Sequence, residues 1–324
     1  MKTTKKHAAG LAIAALVAAS ANAAEPQYPT KSVRMIVPFA PGGPTDVIAR
    51  IVAIKLSESM GQQVVIDNRA GAGGNIGMGM AANATSDGYT IVVVSSSFVV
   101  NPGLYAKIPY DPFKSFVPVS NMAASPNVYT AHPSVPAKSM QELVKLIQAN
   151  PKKFSFATPG IGTTPDLGAS LLKVSAKLDV TTVPYAGAGP AVTAVIGNQV
   201  PLGCTAMPPT TPHILGGRLR ALAVTSAQRS AALPDVQTMA EAGFTGQESD
   251  TLQGMLVPAG TPKAVVQKLH REIARILSQP DVKERVVALG FDIVASTPAE
   301  FTAQIKNEVT KWSKVVKDAA IKVE

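Results

Sequence analysis

The sequence is poor in residues on which many protein functions depend. It holds a single cysteine, Cys204, in 324 residues, which excludes an intrachain disulfide and a cysteine-based zinc site. Aromatic residues make up only 5% of the chain, and lysine and arginine are spread out rather than gathered into runs. The sequence therefore lacks the stacking surface and the concentrated positive charge of a nucleic-acid-binding protein. We expect no nucleic-acid partner.

Histidine is also rare, with four in the whole chain. His132 precedes a proline in a predicted turn, His213 lies near a predicted helix end, and His270 lies on the predicted surface of a helix. None has an acidic residue at metal-ligand spacing, and the G-x-S-x-G motif of serine hydrolases is absent. We therefore expect no bound metal, no cofactor and no hydrolytic site.

The apolar run near the N-terminus is shorter than the roughly 20 residues that a membrane-spanning helix needs. This run, Leu11 to Ala19, follows the basic sequence MKTTKK and precedes Ala21-Asn22-Ala23, which has small residues at both ends. The order is typical of a secretory signal peptide. We predict that residues 1–23 are a signal peptide cleaved after Ala23, and that the product is soluble and periplasmic.

Short β-rich runs alternate with amphipathic helical stretches along the rest of the chain, a pattern typical of parallel α/β sheets. The run Ile91 to Val94 is apolar at every position, as expected of a strand covered on both faces. A chain of this length usually forms two lobes, and two proline- or glycine-marked passages, near Ala124 to Val128 and Ser249 to Val257, are candidate crossings between them. The predicted limits are residues 24–126 plus 251–324 for lobe I and residues 127–250 for lobe II.

One glycine-rich stretch has the pattern of a dinucleotide-binding motif, but the helix and the βα units that accompany this motif are missing. Gly73 to Gly79 fits the G-x-x-x-G-x-G of short-chain dehydrogenases, and Tyr110 to Lys114 supplies a Y-x-x-x-K. That tyrosine and lysine cooperate only on one face of a helix, which Pro109 and Pro112 would break. Too few residues separate the two motifs for the βα units of a dinucleotide fold. We therefore predict that the Tyr-Lys pair lies in a turn.

Four loops rich in glycine, serine and threonine follow predicted strands. They are Phe39 to Asp46, Ser95 to Ser97, Ala157 to Thr164 and Pro184 to Gly189. Glycine lets backbone N–H groups approach a ligand, hydroxyls add donors, and a helix N-terminus adds about half a positive charge. Such loops suit a carboxylate, although any one of them could serve only to turn a strand into a helix.

Several residues in these loops have a structural alternative to ligand contact. Thr45 can cap the helix that starts here, and Asp46 can complement its dipole. Ser97 has no base to activate it, which favours a hydrogen-bond donor over a nucleophile. Tyr185 offers a flat face and a hydroxyl to a ligand, but it can also pack between lobes.

In several long motifs the chain resembles the tripartite tricarboxylate transporter substrate-binding proteins, the Bug/TctC family of periplasmic solute receptors. The motifs cover essentially the whole mature chain and include VPFAPGGPTDVIAR, VVIDNRAGAGGNIG, VPYAGAGPAVTAVIGNQV and GGRLRALAVTSAQRS. The resemblance implies an α/β type II periplasmic-binding-protein fold with two lobes, two crossover segments and one ligand cleft. It also implies a monomer that binds a small carboxylate and delivers it to membrane permease subunits, without catalysis.

Carried over by position, the resemblance implies two sets of ligand contacts. Those of lobe I are Phe39, Ala40, Gly42, Gly43, Thr45, Asp46, Ser96, Ser97 and Asn101. Those of lobe II are Thr158, Gly160, Gly162, Thr163, Thr164, Asp166, Tyr185 and Thr205. Pro165-Asp166 replaces a polar residue and a histidine of the family pattern, and Gly203 to Met207 replaces an acidic segment. The smaller, more apolar Cys204 to Met207 favours an aromatic acid among the possible mono- and dicarboxylates.

Two other functions stay open at this point. An exported enzyme that processes a carboxylate could use Ser97 or Asp166 as its reactive group. A sensor could report the same ligand to a membrane kinase. No sequence feature separates the sensor from the transport receptor.

Overall fold

The computed structural model describes Tyr28 to Asp318, so the predicted signal peptide and its cleavage point lie outside the described residues. Strands and helices alternate through this part of the chain. The strands are β1 (Val33–Val37), β2 (Val64–Asn68), β3 (Thr90–Ser95), β4 (Phe116–Ala131), β5 (Ser155–Thr158), β6 (Thr181–Pro184), β7 (Leu202–Ala206), β8 (Arg220–Val224), β9 (Asp250–Pro258) and β10 (Asp292–Ile293). The helices are α1 (Pro44–Met60), α2 (Asn75–Ala82), α3 (Ser97–Leu104), α4 (Met140–Ala149), α5 (Thr164–Ser175), α6 (Ala188–Ile196), α7 (Met207–Leu215), α8 (Lys263–Ser278), α9 (Pro280–Ala288) and α10 (Pro298–Asp318).

The strands form two sheets that share the long strand β4. In the first sheet the order is β2-β1-β3-β9-β4, and β10 also pairs with β4. The second sheet contains β7, β5 and β6, with β8 also paired to β4. Residues 116–126 of β4 pair with β9, and residues 127–131 pair with β7. The two-lobe α/β fold is thereby confirmed, while the exact lobe limits stay a prediction.

The parallel pairing that the alternation predicts is found within each lobe but does not extend to the strands that cross between the lobes. β1 is parallel to β2 and β3, and β5 is parallel to β6 and β7. β9, however, is antiparallel to β3 and to β4. The reason is geometric, because β9 brings the chain back into the first sheet at the end where β4 leaves it. Apolar periodicity does not encode that direction.

Each sheet is covered by helices that bury an apolar face. Ile91 to Val94 are fully buried, as predicted for a strand covered on both sides. Ile91 and Val93 pack with α1 and α8, whereas Val92 and Val94 pack with α10 on the opposite face. The C-terminal helices therefore return to the first sheet, as the two crossings predicted. Within the described residues no helix is both long and apolar enough to cross a membrane.

Candidate ligand-binding site

A cavity lies between the two sheets, where strands of both end. We call it the inner cavity. Its wall is formed by Phe39, Gly43, Pro44, Thr45, Ser95, Pro159, Thr163, Pro165, Ala188, Ala206 and Thr251. All four predicted loops contribute to this wall. Its volume of about 30 Å³ has room for about two water molecules.

A second cavity, the outer cavity, adjoins the inner one and shares Phe39 and Pro159 with it. It has a volume of about 190 Å³. Its wall is formed by Phe39, Gly71, Ala72, Gly73, Gly74, Tyr105, Pro159, Gly160, Ile161, Pro184, Tyr185 and Ala186. Three aromatic rings thus face this space, and neither cavity has a charged side chain in its wall.

Four helices begin at the inner cavity. The cavity is lined by Pro44 and Thr45 of α1, by Pro165 of α5 and by Ala188 of α6. It is also lined by Ala206, and α7 begins directly after this residue. None of these four helices has a side-chain capping hydrogen bond at its N-terminus. Each first turn contains proline, which carries no N–H, and that of α7 contains two. The N–H groups that remain have no partner within their own helix, and the aligned helix dipoles make this end positive. The cavity wall therefore favours an anion, without lysine or arginine.

The first loop is held in shape by Asp46 rather than by Thr45. Asp46 Oδ2 accepts hydrogen bonds from Gly42 N at 2.9 Å and Arg50 Nε at 2.8 Å, and Oδ1 accepts one from Asn68 Nδ2 at 3.0 Å. Burial alone would raise the pKa of Asp46, but these hydrogen bonds outweigh burial and lower it. The capping role suggested for Thr45 is wrong, because Gly43 is the N-cap and Thr45 lies inside α1.

The second lobe repeats this arrangement with Asp166. Its Oδ1 accepts the Thr158 hydroxyl at 2.9 Å, and its Oδ2 accepts Gly162 N at 3.3 Å. As with Asp46, the backbone donor lies four residues earlier, but Asp166 has no cationic partner among the described residues. Burial raises the pKa of Asp166, and the two hydrogen bonds offset this only in part. Asp166 lines neither cavity, so its carboxylate shapes the loop.

The two aspartates should therefore have opposite effects on the pH dependence of stability. Because the pKa of Asp166 is raised by folding, its ionisation costs stability as the pH rises above the ordinary aspartate value of about 4. We expect the free energy of unfolding of Asp166→Asn to rise, relative to that of wild type, as the pH goes from acidic to neutral. Urea unfolding at several pH values measures this difference.

Asp46→Asn is the matched control for this experiment. The pKa of Asp46 is lowered by folding, so its contribution to stability is present above the unfolded pKa and is lost as the pH falls through the folded one. The difference between this variant and wild type should therefore grow less favourable as the pH rises. Parallel slopes for the two variants would contradict the assignment.

Several predicted contacts lie behind the cavity wall instead of in it. The Ser96 hydroxyl donates to Asp250 O at 3.2 Å and accepts Leu252 N at 2.9 Å, which ties the end of β3 to β9. Ser97 is fully buried and its hydroxyl lies 3.2 Å from that of Ser95. Sequence patterns do not show which of three consecutive serines faces the inner cavity. In the structure it is Ser95.

Asn101 and Thr205 also have structural partners. Asn101 Nδ2 donates to Gly73 O at 3.1 Å and to Asn75 Oδ1 at 2.8 Å, so it supports the glycine-rich wall of the outer cavity. The Thr205 hydroxyl lies 2.8 Å from that of Thr210 in α7. Neither residue lines a cavity.

The segment Cys204 to Met207 contributes less to the cavity than its sequence suggested. Cys204 is buried in the apolar core of the second lobe, and burial raises the pKa of its thiol. Only Ala206 reaches the inner cavity. This segment therefore gives no support to the expectation that the ligand is an aromatic acid. The rings that could support it are those of Phe39, Tyr105 and Tyr185 in the outer cavity.

The crossing strand β9 supplies a residue that the sequence pattern missed. Thr251 lines the inner cavity and its hydroxyl lies 2.6 Å from that of Thr164. It also donates to Asn127 Oδ1 at 2.9 Å. A strand that crosses between lobes gives no glycine-loop signal, so its threonine could be found only from the three-dimensional arrangement.

The closed lobes touch through the predicted glycine loops. Ala40 N donates to Ala186 O at 3.1 Å, which joins the first loop to the fourth. A Cβ at Gly42 would come within 3.7 Å of Gly189 Cα, and one at Gly189 would come within 2.6 Å of Pro41 O. These glycines therefore let two backbones meet, in addition to any contact with a ligand.

Of the predicted contacts, six line one of the two cavities. They are Phe39, Gly43, Thr45 and Thr163 in the inner cavity, and Phe39, Gly160 and Tyr185 in the outer one. Ala40, Gly42, Thr158, Gly162 and Thr164 shape or join the loops around them. Whether each residue touches a ligand stays a prediction.

Comparison with known proteins shows which family the chain resembles. The model of the family "Tripartite tricarboxylate transporter family receptor" (TctC) matches residues 48–321. The protein BugT of Bordetella pertussis is 36% identical over 319 residues, which cover 97% of this chain and 98% of BugT. The solved periplasmic binding protein BugD is 36% identical with a TM-score of 0.89, over 92% of this chain and 100% of that one.

Two further solved structures contain bound acids. A protein of R. palustris solved with adipate is 32% identical with a TM-score of 0.87, over 90% of this chain and 98% of that one. MatC of Rhodopseudomonas palustris, solved with bound malate, is 31% identical with a TM-score of 0.85, over 89% of this chain and 100% of that one. The chain belongs to the tripartite tricarboxylate transporter receptor family, whose solved members include periplasmic binding proteins.

Proposed function

We propose that this chain captures a small carboxylate between its lobes and delivers it to the membrane permease subunits of a tripartite tricarboxylate transporter. The observation that carries the proposal is the convergence of four uncapped helix N-termini on one interlobe cavity. Backbone N–H groups and helix dipoles are a sufficient site for an anion. The adipate and malate bound by two relatives support the same ligand class.

The two cavities suggest how such a ligand is held. One carboxylate group occupies the inner cavity, next to the N–H groups of Thr45 and Thr164 in the first turns of α1 and α5. The body of the ligand extends into the outer cavity toward Tyr105 and Tyr185. These rings, with Phe39, suit an aromatic acid as well as an aliphatic mono- or dicarboxylate. The ligand enters when the lobes separate and is enclosed when they close.

The chain works as a receptor and not as an enzyme. The hydroxyl of Ser97 pairs with Ser95, and the carboxylate of Asp166 is engaged by Thr158 and Gly162. Neither group has a general base or an opening toward the ligand in the part of the chain described. After removal of its signal peptide the protein acts as a periplasmic monomer and needs no cofactor.

A thermal-shift panel followed by calorimetry tests the function. The panel contains adipate, malate and benzoate, with the uncharged adipamide as control. Because a ligand that binds only the folded protein stabilises it, an acid at about 100 times its Kd should raise Tm by about 4 °C. Adipamide should give no shift.

Failure of every acid to shift Tm would contradict carboxylate binding. Appearance of a new product from a bound acid, lost in Ser97→Ala, would instead favour the enzyme. Uptake that persists in a strain without this chain, together with a kinase response that disappears, would favour the sensor.

A further inference from the structure

Strand β9 is held from both sheets at the point where it crosses between the lobes. Ser96, which follows β3 of the first sheet, contacts the backbone of β9 just before and just after Thr251, at 3.2 Å and 2.9 Å. On the side of the second sheet, the Thr251 hydroxyl lies 2.6 Å from that of Thr164 and 2.9 Å from Asn127 Oδ1. Side chains associated with the two sheets therefore meet at Thr251.

The direction of the hydrogen bonds at Thr251 follows from the groups at their ends. Asn127 Nδ2 lies 3.1 Å from Ser249 Oγ and 3.4 Å from Ser249 O. This carbonyl can only accept, so the amide nitrogen of Asn127 faces Ser249 and its Oδ1 faces Thr251. Because Oδ1 also can only accept, Thr251 must donate to it. A hydroxyl has one hydrogen, so the Thr164 hydroxyl must in turn donate to Thr251.

This directed chain begins at a helix N-terminus that faces the inner cavity. Thr164 is the first residue of α5, and its backbone N–H is one of the two groups to which the proposed function assigns the carboxylate. Asp166 ties the same turn to its own loop through Thr158 and Gly162. The Thr164 hydroxyl instead ties this turn to a strand of the first sheet.

Burial makes each link of the chain costly to lose. Thr164, Thr251 and Asn127 are 1%, 5% and 0% exposed, so bulk water does not replace a missing partner. The hydrogens of both hydroxyls are already used within the chain, so neither hydroxyl can donate to a carboxylate. The effect of Thr251 on an anionic ligand must therefore be indirect.

We propose that Thr251 is a positioning residue for ligand capture. Through Thr164 it holds the N-terminus of α5 against β9, so that the N–H groups of both lobes meet at one carboxylate. This role rests on the proposed function. A merely structural threonine would change stability and leave the affinity of the folded protein unaltered, whereas a positioning threonine changes that affinity.

Calorimetric titration with adipate tests this role. Thr251→Val removes the hydroxyl and keeps the branched side chain, and it should weaken adipate binding about tenfold. Thr251→Ser keeps the hydroxyl and should restore most of the affinity. Thr164→Val breaks the same link from the other side. It leaves no donor of the chain unpaired, because Thr251 still donates to Asn127, so this variant should fold.

The double variant Thr164→Val/Thr251→Val tests whether the two residues act as one unit. Residues that act only through a shared contact show non-additive effects. The double variant should therefore bind adipate no more weakly than the weaker of the two single variants.

Thr210→Val is the matched control. Thr210 forms a second buried threonine pair, with its hydroxyl 2.8 Å from that of Thr205. This pair joins α7 to β7, and neither of its members lines the inner or the outer cavity. Thr210→Val should leave the affinity for adipate unchanged, whatever it does to stability.

Amide exchange in the ligand-free protein tests positioning separately from carboxylate binding. Leu167 N donates to Thr163 O at 3.0 Å and closes the first turn of α5. This amide should exchange about tenfold faster in Thr164→Val than in wild type, and at the wild-type rate in Thr210→Val. If adipate does not bind the wild-type protein, the proposed function fails for this acid, and the exchange rate alone decides the positioning role.

Four outcomes would overturn the proposal. They are wild-type affinity in Thr251→Val, equal weakening by Thr251→Ser and Thr251→Val, additive losses in the double variant, and an unchanged exchange rate at Leu167 in Thr164→Val. If Thr251→Val fails to fold, Thr164→Val supplies both the affinity and the exchange rate, and wild-type values of either contradict the role.

Discussion

Gly189→Ala should bind the carboxylate about 10- to 100-fold more weakly than wild type while remaining fully folded. A Cβ at this position would lie 2.6 Å from Pro41 O and 3.3 Å from Gly42 C, both backbone atoms of the other lobe. Neither atom can move without shifting the first loop. The variant should therefore hold the lobes apart at the point where they enclose the ligand.

The same substitution should not weaken the lobe that carries it. Gly189 is the second residue of α6, and its φ is not positive, so alanine fits the local backbone and favours the helix by up to about 1 kcal/mol. Calorimetric affinity and the Tm of the ligand-free protein should thus change independently. Gly197→Ala, at the other end of α6, is the control, because its Cβ would approach only atoms of its own segment, of which the nearest is Thr193 O at 3.4 Å. Wild-type affinity in Gly189→Ala would show that these loops need not meet for binding.

Asp46→Ala should lower the free energy of unfolding by about 2–4 kcal/mol. The carboxylate is 3% exposed and accepts three hydrogen bonds, from Gly42, Arg50 and Asn68. Alanine leaves these donors without their acceptor, and it releases Gly42, whose φ of 85° needs a glycine. Urea unfolding at neutral pH measures the loss.

Asp281→Ala is the matched control for this loss. Asp281 also lies in the first turn of a helix and pairs with a base, Lys55, at 3.0 Å. Its side chain is 65% exposed, so solvent screens the pair and its removal should cost far less than the removal of Asp46. Similar losses in the two variants would mean that helix position, and not burial in the loop, determines the contribution of Asp46.

Much of this architecture can be predicted from local sequence. Ile91 to Val94 specify a strand buried on both faces, and a strand followed by glycine and then a helix specifies the loop at Phe39 to Asp46. Each of these signals is contained in a few neighbouring residues. That the four loops face one cavity follows from strand ends meeting at one edge of each sheet.

What the sequence leaves undetermined depends on side-chain direction and on distant partners. Asp166 has the residue type of a ligand contact, but Thr158 and Gly162 turn its carboxylate into the loop. The Ser96 hydroxyl accepts a hydrogen bond from the backbone N–H of Leu252 in β9, 156 positions further along the chain. No local sequence pattern covers such a separation. Thr251 lies on a crossing strand whose direction is set by the whole topology.

The central claim is that a carboxylate is bound between the lobes by helix N-termini. A crystal structure with the acid that binds most tightly in calorimetry tests it most directly. We predict a carboxylate in the inner cavity, with an oxygen within about 3.2 Å of the backbone nitrogen of Thr45 or Thr164, and contacts from both lobes. A carboxylate bound to one lobe only, or held by a lysine or arginine elsewhere on the surface, would contradict the claim.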